Sequence, residues 1–475
     1  MSKDWGFDPL ASGLARWRSF RQLHRLFLVC FVILAIFLVD RYRRATPDEG
    51  SLTLPTFGHG NSDSGGSGGA NGDGKGSANG PDTDPVVDIE AENQAKSMEN
   101  AGNSTLGFHS IYYINMKARY DREDAAVLQA YLSGIEYENF PAVEADMIVP
   151  VGMPPTHRPT VLKVGEKGCW RAHANIWSEM VRYKLPPVLI LESDATWDIN
   201  IRPIMSNLNK YFVEFLRKIN STAVHDPSWG SKNNRRLKRD LPADDNDVAN
   251  DNNNHTDKAD ASAAGNHTAP STPQIQYNPD DPWLSEHWDL FSIGQCFEAS
   301  EDKDINLIFP DPHVPADRDY YGQTLNHERV VRKSFGIVCT TAYAISHTGA
   351  AKLLMRSAVD LDNPVDLLIR RLTRSGDLVV YSVQPPVIAQ WEYRGDIGMN
   401  ERGAQSDING GPPKDTPKDA IMEGWDDVKR TGSVWQTKKH QTDVVFERMA
   451  LDVAWQEILG DAKLEESQYN EQEKN

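Results

Sequence analysis

Pro187-Val188-Leu189-Ile190-Leu191-Glu192-Ser193-Asp194-Ala195 runs from an unbroken apolar strand straight into two carboxylates. An apolar run of this length, bounded by a proline pair and an acidic turn, reads as a strand buried on both faces, and such strands are the central parallel ones of α/β sheets. Open α/β sheets meet their ligands at the carboxyl ends of those strands. Glu192 and Asp194 therefore stand where a phosphate or a cation would arrive. Two hard oxygen ligands one residue apart can hold a divalent cation that bridges a diphosphate. The alternative is an acidic pair that caps the next helix or solvates a turn.

Working outward, Ile111-Tyr112-Tyr113-Ile114-Asn115 reads as the first strand, and Arg119-Tyr120-Asp121-Arg122 opens a helix carrying Ala126, Leu128, Ala130 and Tyr131. A βα unit at the domain start predicts a parallel sheet. Asn115 and Arg119 lie at that strand's carboxyl end, where they either meet a nucleotide or cap the helix and pair with Asp121 or Asp124. Gly165-Glu166-Lys167-Gly168-Cys169-Trp170-Arg171-Ala172-His173 leads into a helix running to about Tyr183, with His173, Trp177 and Met180 near one face. A histidine on such a face is more often a packing residue than a catalyst. Ala350 to Ala358 continues a helix, Leu378 to Val383 reads as a late strand, and Val444 to Leu464 as a terminal helix.

The whole chain has 475 residues and a net charge of −18, which excludes a basic nucleic-acid-binding face. Its four cysteines form no CxxC pair or zinc-spaced cluster, and one disulfide can form among Cys169, Cys296 and Cys339. Residues 1–22 read as a cytosolic tail and 23–39 as a transmembrane signal anchor. The apolar run from Leu26 to Val39 is flanked by Arg16, Arg18, Arg21 and Arg25 before it and by Arg41, Arg43 and Arg44 after it, with no cleavage site following. The cationic excess before the span places the body in the lumen, and Asn103, Asn220, Asn254 and Asn266 sit in glycosylation sequons.

Residues 40–103, rich in Gly, Ser, Asn and Asp, read as a disordered stalk. Two halves of a catalytic-sized body follow at 104–217 and 282–400, separated by an aperiodic insertion at 218–281 with a basic block at Arg235-Arg236-Leu237-Lys238-Arg239. That block is either a solvated charge run or a protease site. A loop region at 401–440, able to close over a ligand, precedes the terminal helix and tail at 441–475. Tail, anchor, stalk and body together are the layout of a single-pass type II Golgi membrane protein.

The Gly165–His173 segment, followed after a helix by Val-Leu-Ile-Leu-Glu-Ser-Asp, resembles the core of glycosyltransferase family 25, which includes bacterial lipooligosaccharide and animal collagen galactosyltransferases. Four further segments agree in order: Ile114-Asn115 with Arg119 and Arg122, Trp288 to Gly294, Thr341 to Leu354, and Pro364-Val365-Asp366. The resemblance covers roughly Ser110 to Trp391.

It implies a GT-A-like (Rossmann-like) α/β fold, a mostly parallel sheet with helices on both faces, and inverting transfer of a hexose, galactose from UDP-galactose above all, to a luminal glycan or glycoprotein. The family's acidic motif is usually Glu-Asp-Asp, and Ser193 stands at its middle position. Asp194, with Glu192, would hold Mn2+ and the diphosphate; Glu192 and Ser193 would reach ribose or phosphate. Ala172 stands where the family usually has a serine, and His173 is kept. Inversion needs a base for the acceptor hydroxyl. Asp366, in the first turn of a helix begun at Pro364, is the first candidate, with plain helix capping as its alternative. Asp289 is the second, with Trp288 as a stacking surface for sugar. A catalytically weak family member that binds glycans or scaffolds a glycosylation complex is the competing reading.

Overall fold

A computed structural model describes residues 88–159, 162–224, 275–298, 304–394, 397, 418–438 and 446–459. The expected first strand, β1 (Ile111–Asn115), is followed by helix α2 (Tyr120–Ser133) and strand β2 (Glu138–Pro141), which returns parallel to β1. Helix α3 (Val164–Tyr183) crosses to β3 (Val188–Glu192), parallel to β1 on the other side. Along β3 the apolar residues alternate between two cores. Leu189 and Leu191 pack with helix α4 (Ile201–Lys218), while Val188 and Ile190 pack with the α3 residues Trp170, Trp177 and Met180. Burial of both faces is what the unbroken apolar run requires.

The main sheet has eight strands in the order β2-β1-β3-β12-β5-β13-β10-β7, where β5 is Leu290–Ser292, β7 Asn306–Pro310, β10 Glu328–Lys333, β12 Ala342–Ile345 and β13 Val380–Gln384. Six strands run one way, and β12 and β10 run against them. It is a mixed, mostly parallel α/β sheet covered on both faces, as expected. Outside it, β6 (Phe297–Glu298) pairs with β11 (Ile337–Val338) and β8 (Arg318–Tyr320) with β9 (Gln323–Leu325). Helices α5 (His347–Val359) and α6 (Val365–Ser375) pack on the α3 side. Beneath the sheet's carboxyl edge, β4 (Ala195–Trp197) joins β14 (Ile388–Tyr393) and β15 (Trp435–Thr437) in a smaller antiparallel sheet.

Several boundaries differ from the sequence reading. The body was expected to begin at 104, after a stalk. Helix α1 (Ile89–Ala101) instead lies against α4, with Ala101 fully buried and Ser97 Oγ donating to Asn209 Oδ1 at 3.0 Å. Its buried side is built from small residues, so the segment lacks the large apolar stripe that marks a packed helix. The two expected halves share one sheet, because β12 inserts between β3 and β5. The 401–440 region contains helix α7 (Lys418–Thr431) as well as β15. At the edge of the 218–281 insertion, Tyr277 is buried and its hydroxyl donates to the Lys210 carbonyl at 2.9 Å. The terminal helix is α8 (Ala450–Leu459).

The disulfide is Cys296–Cys339, and Cys169 is free. The apolar run 26–39, the basic block at 235–239 and most of the loop after Arg394 lie outside the described residues. Among the described residues, no helix is long and apolar enough to cross a membrane.

Candidate active site

The carboxyl ends of β1 and β3 lie side by side, and their terminal residues form one wall of a polar cluster. Asn115, at the end of β1, is buried; its Nδ2 donates to the Arg119 carbonyl at 3.1 Å and its Oδ1 has no protein partner. Arg119 forks onto Asp121 with Nε and Nη2 both 2.8 Å from the carboxylate, the helix-start pairing that the sequence left open. Burial raises the Asp121 carboxyl, but the Arg119 fork and the Arg122 charge outweigh it and leave the pKa below the usual range. Arg122 Nη1 donates to Ser193 Oγ at 2.7 Å, and the Ser193 carbonyl accepts from the Tyr113 hydroxyl at 2.8 Å. Ser193 is thus committed to holding the turn after β3.

Glu192 and Asp194 face different walls. Glu192 Oε1 accepts from Thr340 Oγ1 at 2.6 Å and lies 3.4 Å from His173 Nε2. His173 is buried, with Nδ1 2.8 Å from the Tyr343 hydroxyl, which also accepts from Trp177 Nε1 at 3.1 Å. The His173 ring thus bridges the Tyr343 hydroxyl at Nδ1 and the Glu192 carboxylate at Nε2. Asp194, equally buried, places Oδ2 3.2 Å from both Gln390 Nε2 and Lys438 Nζ, while its Oδ1 has no partner.

Asp366 occupies the first turn of α6, its Oδ2 accepting from the Cys339 amide at 3.2 Å. Cys169, one turn before His173, reports how these groups converge. Burial pushes its thiol well above the ordinary value, and the charges of Glu192, Asp366 and Asp194 all push the same way. Cys339 and Thr340 are neighbours, so their contacts bring Asp366 near Glu192 at the carboxyl edge, and Asp194 lies two residues further on.

The other two expected residues are elsewhere. Strand β5 runs parallel to β3, and through β12 its first residue, Leu290, is level with Val188 at the start of β3. Asp289 and Trp288 precede Leu290, so they lie at the amino edge, opposite Glu192. Asp289 is fully buried, receiving Lys352 Nζ at 2.6 Å and the Val379 amide at 2.8 Å. Trp288 is also fully buried, its Nε1 donating to the Trp283 carbonyl at 2.7 Å. Neither a base nor a stacking surface for sugar is available from this pair; both belong to the core.

The expected Mn2+ position can be tested against these contacts. Glu192 and Asp194 share no partner, Ser193 is held by Arg122, and an ammonium already stands at Asp194. Ligand atoms of Cys169, His173 and Glu192 lie within 4.8 Å of one another. Sequence reasoning missed Thr340, Gln390 and Lys438. They reach the site only through strand pairing, Lys438 from 244 residues away, and no local pattern marks them.

A mostly parallel α/β sheet with carboxylates at its carboxyl edge defines an α/β protein whose ligand site lies at that edge. Residues 108–369, more than half of the chain, match the family model described as glycosyltransferase family 25 (LPS biosynthesis protein), and the chain belongs to that family. Among curated relatives, a glycosyltransferase 25 family member of Drosophila melanogaster is 35% identical over 108 residues, 20% of this chain and 17% of the relative. One from Anopheles gambiae is 31% identical over 105 residues, 20% and 18% respectively. Procollagen galactosyltransferase 2 of Mus musculus is 29% identical over 106 residues, 20% and 17%. The matched segment spans less than a fifth of the length of each of these relatives.

Proposed function

We propose that the chain is an inverting hexosyltransferase that moves galactose from UDP-galactose to a hydroxyl of a luminal glycan or glycoprotein. The reading rests on membership of the glycosyltransferase family and on Glu192 and Asp366 held by the adjacent residues Thr340 and Cys339 at the sheet's carboxyl edge. In it, the acceptor oxygen attacks the anomeric carbon while the bond from that carbon to the diphosphate breaks. UDP leaves with the bonding pair, and the acceptor proton passes to Asp366. Glu192, held by Thr340 and His173 through Oε1, keeps Oε2 for a donor hydroxyl. Asn115 Oδ1, without a protein partner, is a second acceptor on the donor side.

Galactose is supported by the name of the mouse relative, procollagen galactosyltransferase 2. A Golgi location as a single-pass type II membrane protein is supported by the apolar run 26–39 between basic flanks and by the Asn-x-Ser/Thr sequons. A second reading, glycan binding or scaffolding without turnover, draws on one observation. Ser193 and Asp194 are already engaged by Arg122 and Lys438.

The two readings part on nucleoside diphosphate release from a panel of nucleotide sugars, with and without glycan acceptors. Turnover of one donor, lost in Glu192→Gln, is the expected result. A folded protein that binds glycans but releases no nucleotide from any donor would replace transfer with the second reading.

A further inference from the structure

We propose that the Lys438 ammonium occupies the position a divalent cation would take beside Asp194, so that the chain holds a nucleoside diphosphate without metal. The inference rests on the donor-site reading above and assigns the source of its positive charge. Lys438 Nζ lies 3.2 Å from Asp194 Oδ2, and the two side chains are only 10% and 8% exposed. A cation brought to Asp194 would meet that ammonium at close range in a poorly screened site, where like charges repel strongly. The strand pairing fixes the lysine: the Lys438 amide donates to the Gln390 carbonyl at 3.0 Å, and Gln390 Nε2 donates to the same carboxylate oxygen.

Asp194 Oδ1, buried and without a protein partner, marks the open side of this pair. One residue before Asp194, Ser193 Oγ accepts from Arg122 Nη1 at 2.7 Å, so a second fixed cation adjoins the turn. The protein thus supplies, from fixed side chains, the positive charge that a transferring or leaving phosphate needs. Lysine is a common phosphate binder in this role, acting as a point charge.

Two measurements on the full chain test this. The first titrates manganese alone and follows the free-ion paramagnetic resonance signal for wild type, Asp194→Asn and Lys438→Gln, repeated in the presence of UDP. Wild type is expected to take up no manganese that Asp194→Asn abolishes, and Lys438→Gln to gain such a site. One equivalent bound by wild type and lost in Asp194→Asn overturns the proposal. The second measures UDP affinity in excess chelator and in manganese. The two values are expected to agree within about twofold, with Lys438→Gln at least about tenfold weaker in chelator and Lys438→Arg near wild type. A wild-type affinity that collapses in chelator and returns with manganese overturns the proposal. UDP that binds under neither condition removes the donor-site reading, and the manganese titration then still decides what occupies the position at Asp194.

Discussion

Replacing Asp289 by asparagine separates a core residue from a catalytic one. The carboxylate is fully buried at the amino edge and accepts from Lys352 Nζ and the Val379 amide. Breaking a buried ion pair costs about 3–5 kcal/mol, because the surviving charge is left without its partner. Two features reduce that here. Lys352 is 21% exposed, so water recovers part of its solvation, and asparagine can still accept from Val379. A loss near 2 kcal/mol follows, roughly a thirtyfold change in the folding constant.

The deficit also depends on pH. Burial raises the Asp289 pKa, against the pull of Lys352, above the ordinary aspartate value of 3.8. The folded chain therefore holds this proton more tightly than the unfolded chain. The stabilisation is fully present below 3.8 and is lost as pH rises through the raised folded value. Asparagine has no such dependence, so the variant's deficit should be largest in mild acid and shrink toward neutrality. Urea unfolding of both proteins across that range measures it, and donor turnover at neutral pH should stay within a few-fold of wild type. A variant of unchanged stability that loses turnover about a hundredfold or more would refute the placement and return Asp289 to the chemistry.

Two further outcomes follow from the packing and the acid cluster. A Cβ on Gly349 would come 2.1 Å from the Asp289 carbonyl oxygen, where backbone cannot yield, so Gly349→Ala should cost at least about 1–3 kcal/mol in urea unfolding. In a Cys30→Ser background, Cys169 should alkylate slowly at neutral pH. It should react faster in Glu192→Gln and Asp366→Asn, since each removes a charge that raises the thiol pKa. Equal alkylation rates in wild type and both variants would mean that the three acids do not converge.

The sheet's centre was legible because burial on both faces leaves an unmistakable record: Val188 to Leu191 have no polar partner to place them at a surface. Helix α3 was legible for the same reason, with Trp177 and Met180 on its buried face. Strand direction was not. Trp288 and Asp289 were assigned to the site from the family-like segment Trp288 to Gly294, but a residue before a strand parallel to β3 lies at the amino edge, and sequence alone does not give that orientation. Helix α1 escaped because Ser97 and Ala101 pack by close approach. Glu192, Asp194 and Asp366 were singled out from local pattern and the family resemblance, whereas Lys438 reaches Asp194 only because β15 pairs with β14.

The most direct measurement of the account's central claim compares transfer from UDP-galactose in wild type and Asp366→Asn, with UDP affinity measured alongside. Removal of a general base costs about a hundredfold to ten-thousandfold in rate. A fall of that size with UDP affinity unchanged is the expected result, since the role proposed for Asp366 is to take the acceptor proton and not to hold the nucleotide. Transfer at the wild-type rate in Asp366→Asn would contradict the account.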